Sequence, residues 1–507
     1  MFRKIVWLPM MLICCSALAF SQAKTIPQLV KKGDKYTLLV DGKPFIMLGG
    51  QVNNPSATPE RMARAWPKLK SLNANTVEFP VYWRQLEPAE GRFDFGDFDL
   101  IIAGARAQGL RVVPLWFGTW KNGNMDYTPT WMKADTVRFP RVLDFDRKPI
   151  GVLSPHSRTN LEADRRAYTA LVRHIREIDE KDRTVIMMQV ENEAGTMGSI
   201  RDFSAEGERL FNGPVPAALV KSLRKKPGTW KEVFGSRMAE EAFAVYSLAT
   251  YINEVARAGK QIYPLPTYVN VWMGGNGTND GFNRWDYPGE GYPSGGAVSH
   301  VLDLWKASAP DIDLIAPDIY HSSPLIFRQI LTAYRRADNP LFIPETGPFR
   351  TAHGLPYARN LFYALAEFSA IGFAPYGVDS GTGTEVNPPF AEHAANFRLI
   401  RSAVPVIAQL QGTGKLKAAV EEDSIGSRML CFDQFDMLVR FPSATRPSGE
   451  TGPSEPTGRV LIGELAPGEF LILGFDAGIE FRPALGSGYT KAQLVLLEEG
   501  AYADGVW

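Results

Sequence analysis

Apolar positions fall into two textures over most of the chain. Short, nearly unbroken apolar runs occupy residues 45–50, 75–81, 110–116, 184–190, 265–271, 312–316, 341–344 and 371–377. They read as parallel strands buried on both faces. Between them lie longer stretches with apolar residues at helical spacing: 59–72, 97–108, 160–179, 238–258, 297–307, 324–336, 355–369 and 390–410. Thr58 and Pro59 mark the first helix start, and Asn73, Gly109 and Gly259 suit helix ends. Ahead of the first unit, 36–40 and 44–48 flank Asp41-Gly42, a hairpin signature. Alternating strands and helices imply a parallel sheet. Eight such units imply an α/β fold closed as a (β/α)8 TIM barrel. An open doubly wound sheet would more often open on a Gly-rich turn, which is missing here. The later Gly-rich stretch 274–296 does not fit G-x-G-x-x-G, so no dinucleotide site is expected.

After residue 411 the texture changes to short alternating runs at 427–432, 437–441, 459–462, 470–474, 479–483 and 492–498. Turns rich in Gly, Pro and Ser separate them, notably 447–457. This predicts a small C-terminal antiparallel β-sandwich. It holds no cluster of catalytic residue types, so its expected role is to brace the barrel, with carbohydrate binding as the alternative. The N-terminus carries Arg3 and Lys4, an apolar run over 5–20, then Ser21-Gln22-Ala23. That is the pattern of a signal peptide cleaved after Ala23, with Ala19 as second choice. The run is short for a spanning helix. Ile13 is a poor neighbour for lipidation at Cys14 or Cys15. The expected organisation is a leader over 1–23, a barrel over 24–410 and a β domain over 411–507. The protein is expected to be exported, periplasmic or extracellular, with no membrane association after cleavage. Cys431 then remains alone, so no disulfide forms although export would permit one.

Charge narrows the partners. Lys and Arg number 55 and Asp and Glu 55, which gives no basic excess for nucleic acid. The run Lys221, Arg224, Lys225, Lys226 reads as a solvated face. The six histidines are scattered, with no H-E-x-x-H and no cysteine pair, so neither metal nor cofactor is expected. No G-x-S-x-G elbow is present. Nothing bears on oligomeric state. Aromatic residues make up 11% of the chain, with 11 Trp. Such rings serve core packing or stack on sugars.

The fourth apolar run ends in Glu191-Asn192-Glu193, and the seventh in Glu345. A carboxyl after a buried strand is costly unless paired or shifted in pKa. One such residue fits a structural ion pair. Two at the C-terminal face of a barrel point to chemistry. Cleavage of a glycosidic bond needs two carboxyl groups, one protonating the leaving oxygen and one attacking the anomeric carbon or activating water. While Glu345 is ionised it raises the pKa of Glu193. Once Glu345 is esterified, Glu193 is free to act as base. Glu191, two residues earlier, is expected on the same side one layer deeper, as a supporting carboxylate, and Glu78 in a similar place. Tyr320 is a candidate hydrogen-bond donor to Glu345. Trp120, Trp272 and Tyr376, just past strand ends, are candidate substrate contacts, with rim packing as the alternative.

Gln189-Val190-Glu191-Asn192-Glu193-Ala194-Gly195 is similar to the Q-[IV]-E-N-E-[YF]-G of glycoside hydrolase family 35, the β-galactosidases. Residues 75–83, with Glu87-Pro88 and Gly91-Arg92-Phe93-Asp94-Phe95, resemble the second-strand motif of families 35 and 42. The resemblance spans roughly residues 33–401. It implies a retaining barrel hydrolase with Glu193 as acid/base, Glu345 as nucleophile and Asn192 at the sugar 2-hydroxyl. It further implies exo-acting removal of β-galactosyl groups from plant cell-wall-type polysaccharides or oligosaccharides. Ala194 stands where the family has an aromatic residue, and Glu345 lacks Trp-rich neighbours. The alternatives are another retaining activity of the same clan, such as a β-glucosidase or endo-β-glycanase, and a carbohydrate-binding protein without catalysis.

Overall fold

The computed structural model describes residues 25–273, 287–348, 355–422, 426–441, 456–503 and 506–507. The expected leader, most of the Gly-rich loop and most of the 447–457 turn lie outside the described residues. The eight apolar runs form a closed barrel of strands Met47–Gln51, Thr76–Tyr82, Arg111–Lys121, Met188–Asn192, Thr267–Val271, Leu314–Ile319, Ile343–Thr346 and Gly372–Pro375. Neighbours in sequence are neighbours in the sheet. The eighth strand closes parallel on the first, with Phe373 opposite Leu48. Apart from Arg111, every residue of these strands is buried. The physical cause is that helices outside and side chains inside leave no solvated face.

Local signals account for most of the connections. Asp41 (φ 52°) and Gly42 (φ 75°) both take left-handed conformations, as the hairpin between Lys35–Val40 and Lys43–Phe45 requires. A further strand, Gln28–Lys32, pairs with Lys35–Val40. The Thr58 side chain caps helix Pro59–Ser71 by accepting from the Arg61 amide. The helix expected from 238 runs to Lys260, and a further turn of helix from Trp230 precedes it. Thr229 and Glu232 form a capping box there, and Gly235 (φ 76°) interrupts the helical path. That break hides the earlier turn from a periodicity reading.

Beyond helix Val404–Leu410, two three-stranded antiparallel sheets pack together. One comprises Leu416–Val420, Arg459–Ala466 and Glu469–Phe475; the other comprises Ser427–Cys431, Phe435–Arg440 and Gly478–Pro483. Ala419, Val460 and Ile462 from the first meet Leu430, Met437 and Val439 from the second in one core, which makes a sandwich. Residues 492–498 form no strand. Leu494, Val495, Leu496 and Leu497 lie exposed and unpaired with either sheet. Their apolar run is continuous rather than alternating, so it favours no single sheet face.

The sandwich is tied to the barrel by Arg459, which is buried. Its guanidinium donates to Asn396 and Glu392 of helix Ala391–Arg401 and lies over the Phe475 ring. Arg459→Met keeps the stem but leaves the buried Asn396 Oδ1 without its donor, while the half-exposed Glu392 turns to water. It is expected to cost about 1–3 kcal/mol in urea unfolding. An unchanged midpoint would mean that the contact carries no stability.

Candidate active site

Glu345 lies in the seventh strand near its C-terminal end, and Glu193 follows the last residue of the fourth. Both are buried, as is Asp318 of the sixth strand. One carboxylate oxygen from each of Glu193, Asp318 and Glu345 lies within 4.8 Å of the other two. The barrel thus gathers three acids at one point of its C-terminal rim.

Each acid has partners of its own, and Asn270 is shared. Glu345 accepts from Gln51 Nε2 at 2.9 Å, Tyr320 Oη at 2.8 Å and Asn270 Nδ2 at 3.5 Å. All three are donors, and an ionised carboxylate only accepts. Glu193 accepts from Asn122 Nδ2, and Lys121 Nζ stands 4.0 Å from its Oε2. Asn270, in the fifth strand, links the acids. Its Oδ1 accepts from the Glu193 amide at 2.8 Å, which turns its Nδ2 toward Asp318 Oδ2, also at 2.8 Å.

Burial pushes the Glu193 carboxyl up to about 7. Lys121 pulls it down, the charge on Glu345 adds to the rise, and hydrogen bonds with Asp318 and Asn122 pull it down. Asp318 is held well above the usual carboxyl range by burial first, then by Glu345 and Glu193. No donor reaches Asp318 Oδ1 among the described residues, yet the side chain contacts Glu193. A proton shared between the two carboxyls accounts for the contact, because two ionised carboxylates have no hydrogen to offer each other. Glu78, deeper in the barrel and hydrogen-bonded by Tyr268 at 3.1 Å, is also raised well above its ordinary range, by burial above all. The raised pKa values of Glu193, Asp318 and Glu78, with Lys121 beside them, keep the cluster from stacking four anions.

Two expectations need correction. Glu191 does not share the orientation of Glu193. Its φ is 63°, and that of Glu193 is 43°. Such left-handed conformations in non-glycine residues store strain and break the two-residue alternation of a strand. Glu191 turns instead to the helix layer. There it contacts Asp164 of helix Arg158–Asp179 and accepts from the Trp120 amide at 2.7 Å. Trp120 goes the same way. It is 1% exposed and packs edge-on to Tyr251 at 4.8 Å, which leaves no ring face open to a sugar. The other residues stay at the rim. Tyr320 holds Glu345, and the Tyr376 hydroxyl accepts from the Asn54 amide and feels the charges of Glu345 and Glu193. Trp272 is half-buried just past the fifth strand. Asn192 is fully buried and receives Lys121 Nζ at 2.7 Å.

Gln51, Lys121, Asn122, Asn270 and Asp318 belong to the site without having been singled out. Their signal was position: each lies at or just beyond the C-terminal end of a strand.

Residues 37–220 match the family model "Glycosyl hydrolases family 35", and residues 393–507 match "Domain of unknown function (DUF5597)". The first match contains Glu193 and ends before Glu345. The chain is 28% identical over 215 residues to a β-galactosidase of Xanthomonas manihotis, covering 39% of this chain and 32% of that protein. It is 31% identical over 113 residues to β-galactosidase 14 of Arabidopsis thaliana, 20% of this chain and 12% of that one. The chain therefore spans about a third or less of these relatives. Among solved structures, the β-galactosidase from Bacillus circulans sp. alkalophilus aligns with TM-score 0.52 at 16% identity, over 74% of this chain and 58% of that one. The β-galactosidase from the psychrophilic Marinomonas ef1 aligns with TM-score 0.51 at 13% identity, over 71% and 60%. These structures share the fold.

Proposed function

We propose that this chain, with its family 35 sequence match, is an exported, retaining glycoside hydrolase. It removes terminal β-galactosyl groups from plant cell-wall-type polysaccharides or oligosaccharides. The observation that carries the reading is the approach of Glu193 and Glu345, with a carboxylate oxygen of each within 4.8 Å of the other. Double displacement uses carboxyls about 5–5.5 Å apart, whereas inversion needs about 6.5–9.5 Å to admit a water. The galactose preference draws on the family 35 match, and export draws on the N-terminal charge and apolar pattern.

In the first step Glu345 attacks the anomeric carbon and forms a glycosyl ester. Glu193 gives its proton to the departing glycosidic oxygen. In the second step Glu193, now ionised, takes a proton from water, which attacks the same carbon and releases Glu345. Loss of the Glu345 charge in the ester removes one of the influences that keep Glu193 protonated, which favours its change of role. Lys121 and the hydrogen bond with Asp318 both favour the ionised form of Glu193.

Purified protein offered a panel of nitrophenyl glycosides is expected to release nitrophenol from the β-galactoside. Release from a different glycoside only would overturn the sugar assignment. Tyr320→Phe removes one donor to the nucleophile, a bond worth about 1.5–3 kcal/mol when its acceptor is charged. The expected loss in kcat is about tenfold to a hundredfold. An unchanged kcat would reduce Tyr320 to rim packing.

A further inference from the structure

We infer that Lys121 is a positioning residue that fixes which way the Asn192 carboxamide faces, making its NH2 group the donor to the sugar 2-hydroxyl. This rests on the glycosidase reading above. Lys121 and Asn192 are cross-strand neighbours in the barrel. The Lys121 backbone is pinned by reciprocal hydrogen bonds with Asn124, at 2.7 and 3.0 Å. Its side chain is buried beside the Phe117 ring, and its ammonium donates to Asn192 Oδ1 at 2.7 Å. An ammonium has three donors and no acceptor, so the atom it meets is the amide oxygen. Asn192 Nδ2 is thereby committed to the other side. It is buried and has no partner among the described residues. A buried NH2 group without an acceptor is costly, and a substrate hydroxyl oxygen would supply one.

The orientation matters for the chemistry. With an NH2 group facing it, the 2-hydroxyl accepts from Asn192 and keeps its own hydrogen for the Glu345 carboxylate. Hydrogen bonds at this hydroxyl strengthen in the transition state. If the amide were reversed, Oδ1 would take that hydrogen and Glu345 would lose it. Lys121 has a second effect through its charge, which faces Glu193 from 4.0 Å. Glu193 is also faced by Asn122 just beyond the third strand, Asn270 from the fifth, Asp318 from the sixth and Tyr320 just beyond it, Glu345 from the seventh and Tyr376 beyond the eighth. Among the described residues Lys121 is the cation in that set.

The test compares wild type, Lys121→Met and Lys121→Gln on nitrophenyl β-galactoside and its 2-deoxy counterpart, with kcat/KM measured across pH. The intrinsic reactivity of the two substrates cancels when variants are compared. In the wild type, loss of the 2-hydroxyl is expected to cost on the order of 100-fold or more. Lys121→Met should shrink that penalty at least tenfold and move the basic limb of the profile upward, because Glu193 loses a cation that lowers its pKa. Lys121→Gln keeps a donor without charge, so it should retain the penalty while still moving the limb. Absent wild-type turnover of every nitrophenyl glycoside offered overturns the activity and this inference together. Wild-type turnover with the same penalty in Lys121→Met, whether or not the limb moves, overturns this inference alone.

Discussion

Glu345→Ala is expected to lower kcat for nitrophenyl β-galactoside by on the order of 10⁵-fold, the scale seen when a covalent nucleophile is removed. The lesion is expected to be chemical rather than structural. Glu345 is almost wholly buried, but its partners Gln51 and Asn270 sit on other strands and Tyr320 just past one, so their backbone places do not depend on it. The shortened side chain leaves a hollow beneath the anomeric carbon. Added azide should enter it, attack that carbon and expel nitrophenolate, giving α-galactosyl azide. The inverted product distinguishes a missing nucleophile from general damage. A variant that keeps near-normal turnover, or one that azide cannot revive although it folds, would remove Glu345 from the nucleophile's role.

Glu193→Ala is expected to split substrates by leaving group. Dinitrophenolate needs no proton to depart, so formation of the glycosyl ester should stay within about tenfold of wild type. A galactoside with a sugar aglycone should lose about 10⁴-fold, near the upper end of general acid catalysis. Hydrolysis of the ester lacks its base, so azide should speed turnover and yield β-galactosyl azide, with configuration retained. The pH profile carries the same information. Burial raises Glu193 to about 7, and its protonated form is the one that serves the first step. Wild-type kcat/KM should therefore fall about tenfold per pH unit above 7. In the variant that limb should vanish. Persistence of the limb would assign the acid to another group, with Asp318 the first to examine.

Much of this was legible from residue order, for identifiable reasons. Parallel strands buried on both faces leave unbroken apolar runs, and polar residues at their ends stand out, as Glu193 and Glu345 do. Other features depend on contacts that only the folded chain makes. The third apolar run covers 110–116, and Gly118, Thr119 and Lys121 beyond it lack the apolar character of a core strand. The strand continues to Lys121, which can be buried because Asn192 and Glu193 receive its charge. The direction of Glu191 follows from its left-handed backbone, which no residue pattern encodes for a glutamate. Trp120 follows the same turn of the chain toward Tyr251. Residues 492–498 have strand-forming composition, but a strand also needs an edge to pair with, and that depends on the rest of the sandwich.

A covalent intermediate at Glu345 leaves its mark in the stereochemistry of the product. Proton NMR of the anomeric region, recorded in the first minutes after enzyme meets nitrophenyl β-galactoside, shows which galactose anomer is released before mutarotation. Two displacements predict β-galactose first, with the α anomer growing in later. If α-galactose appeared first, water would have attacked the sugar directly and the proposed ester could not lie on the path.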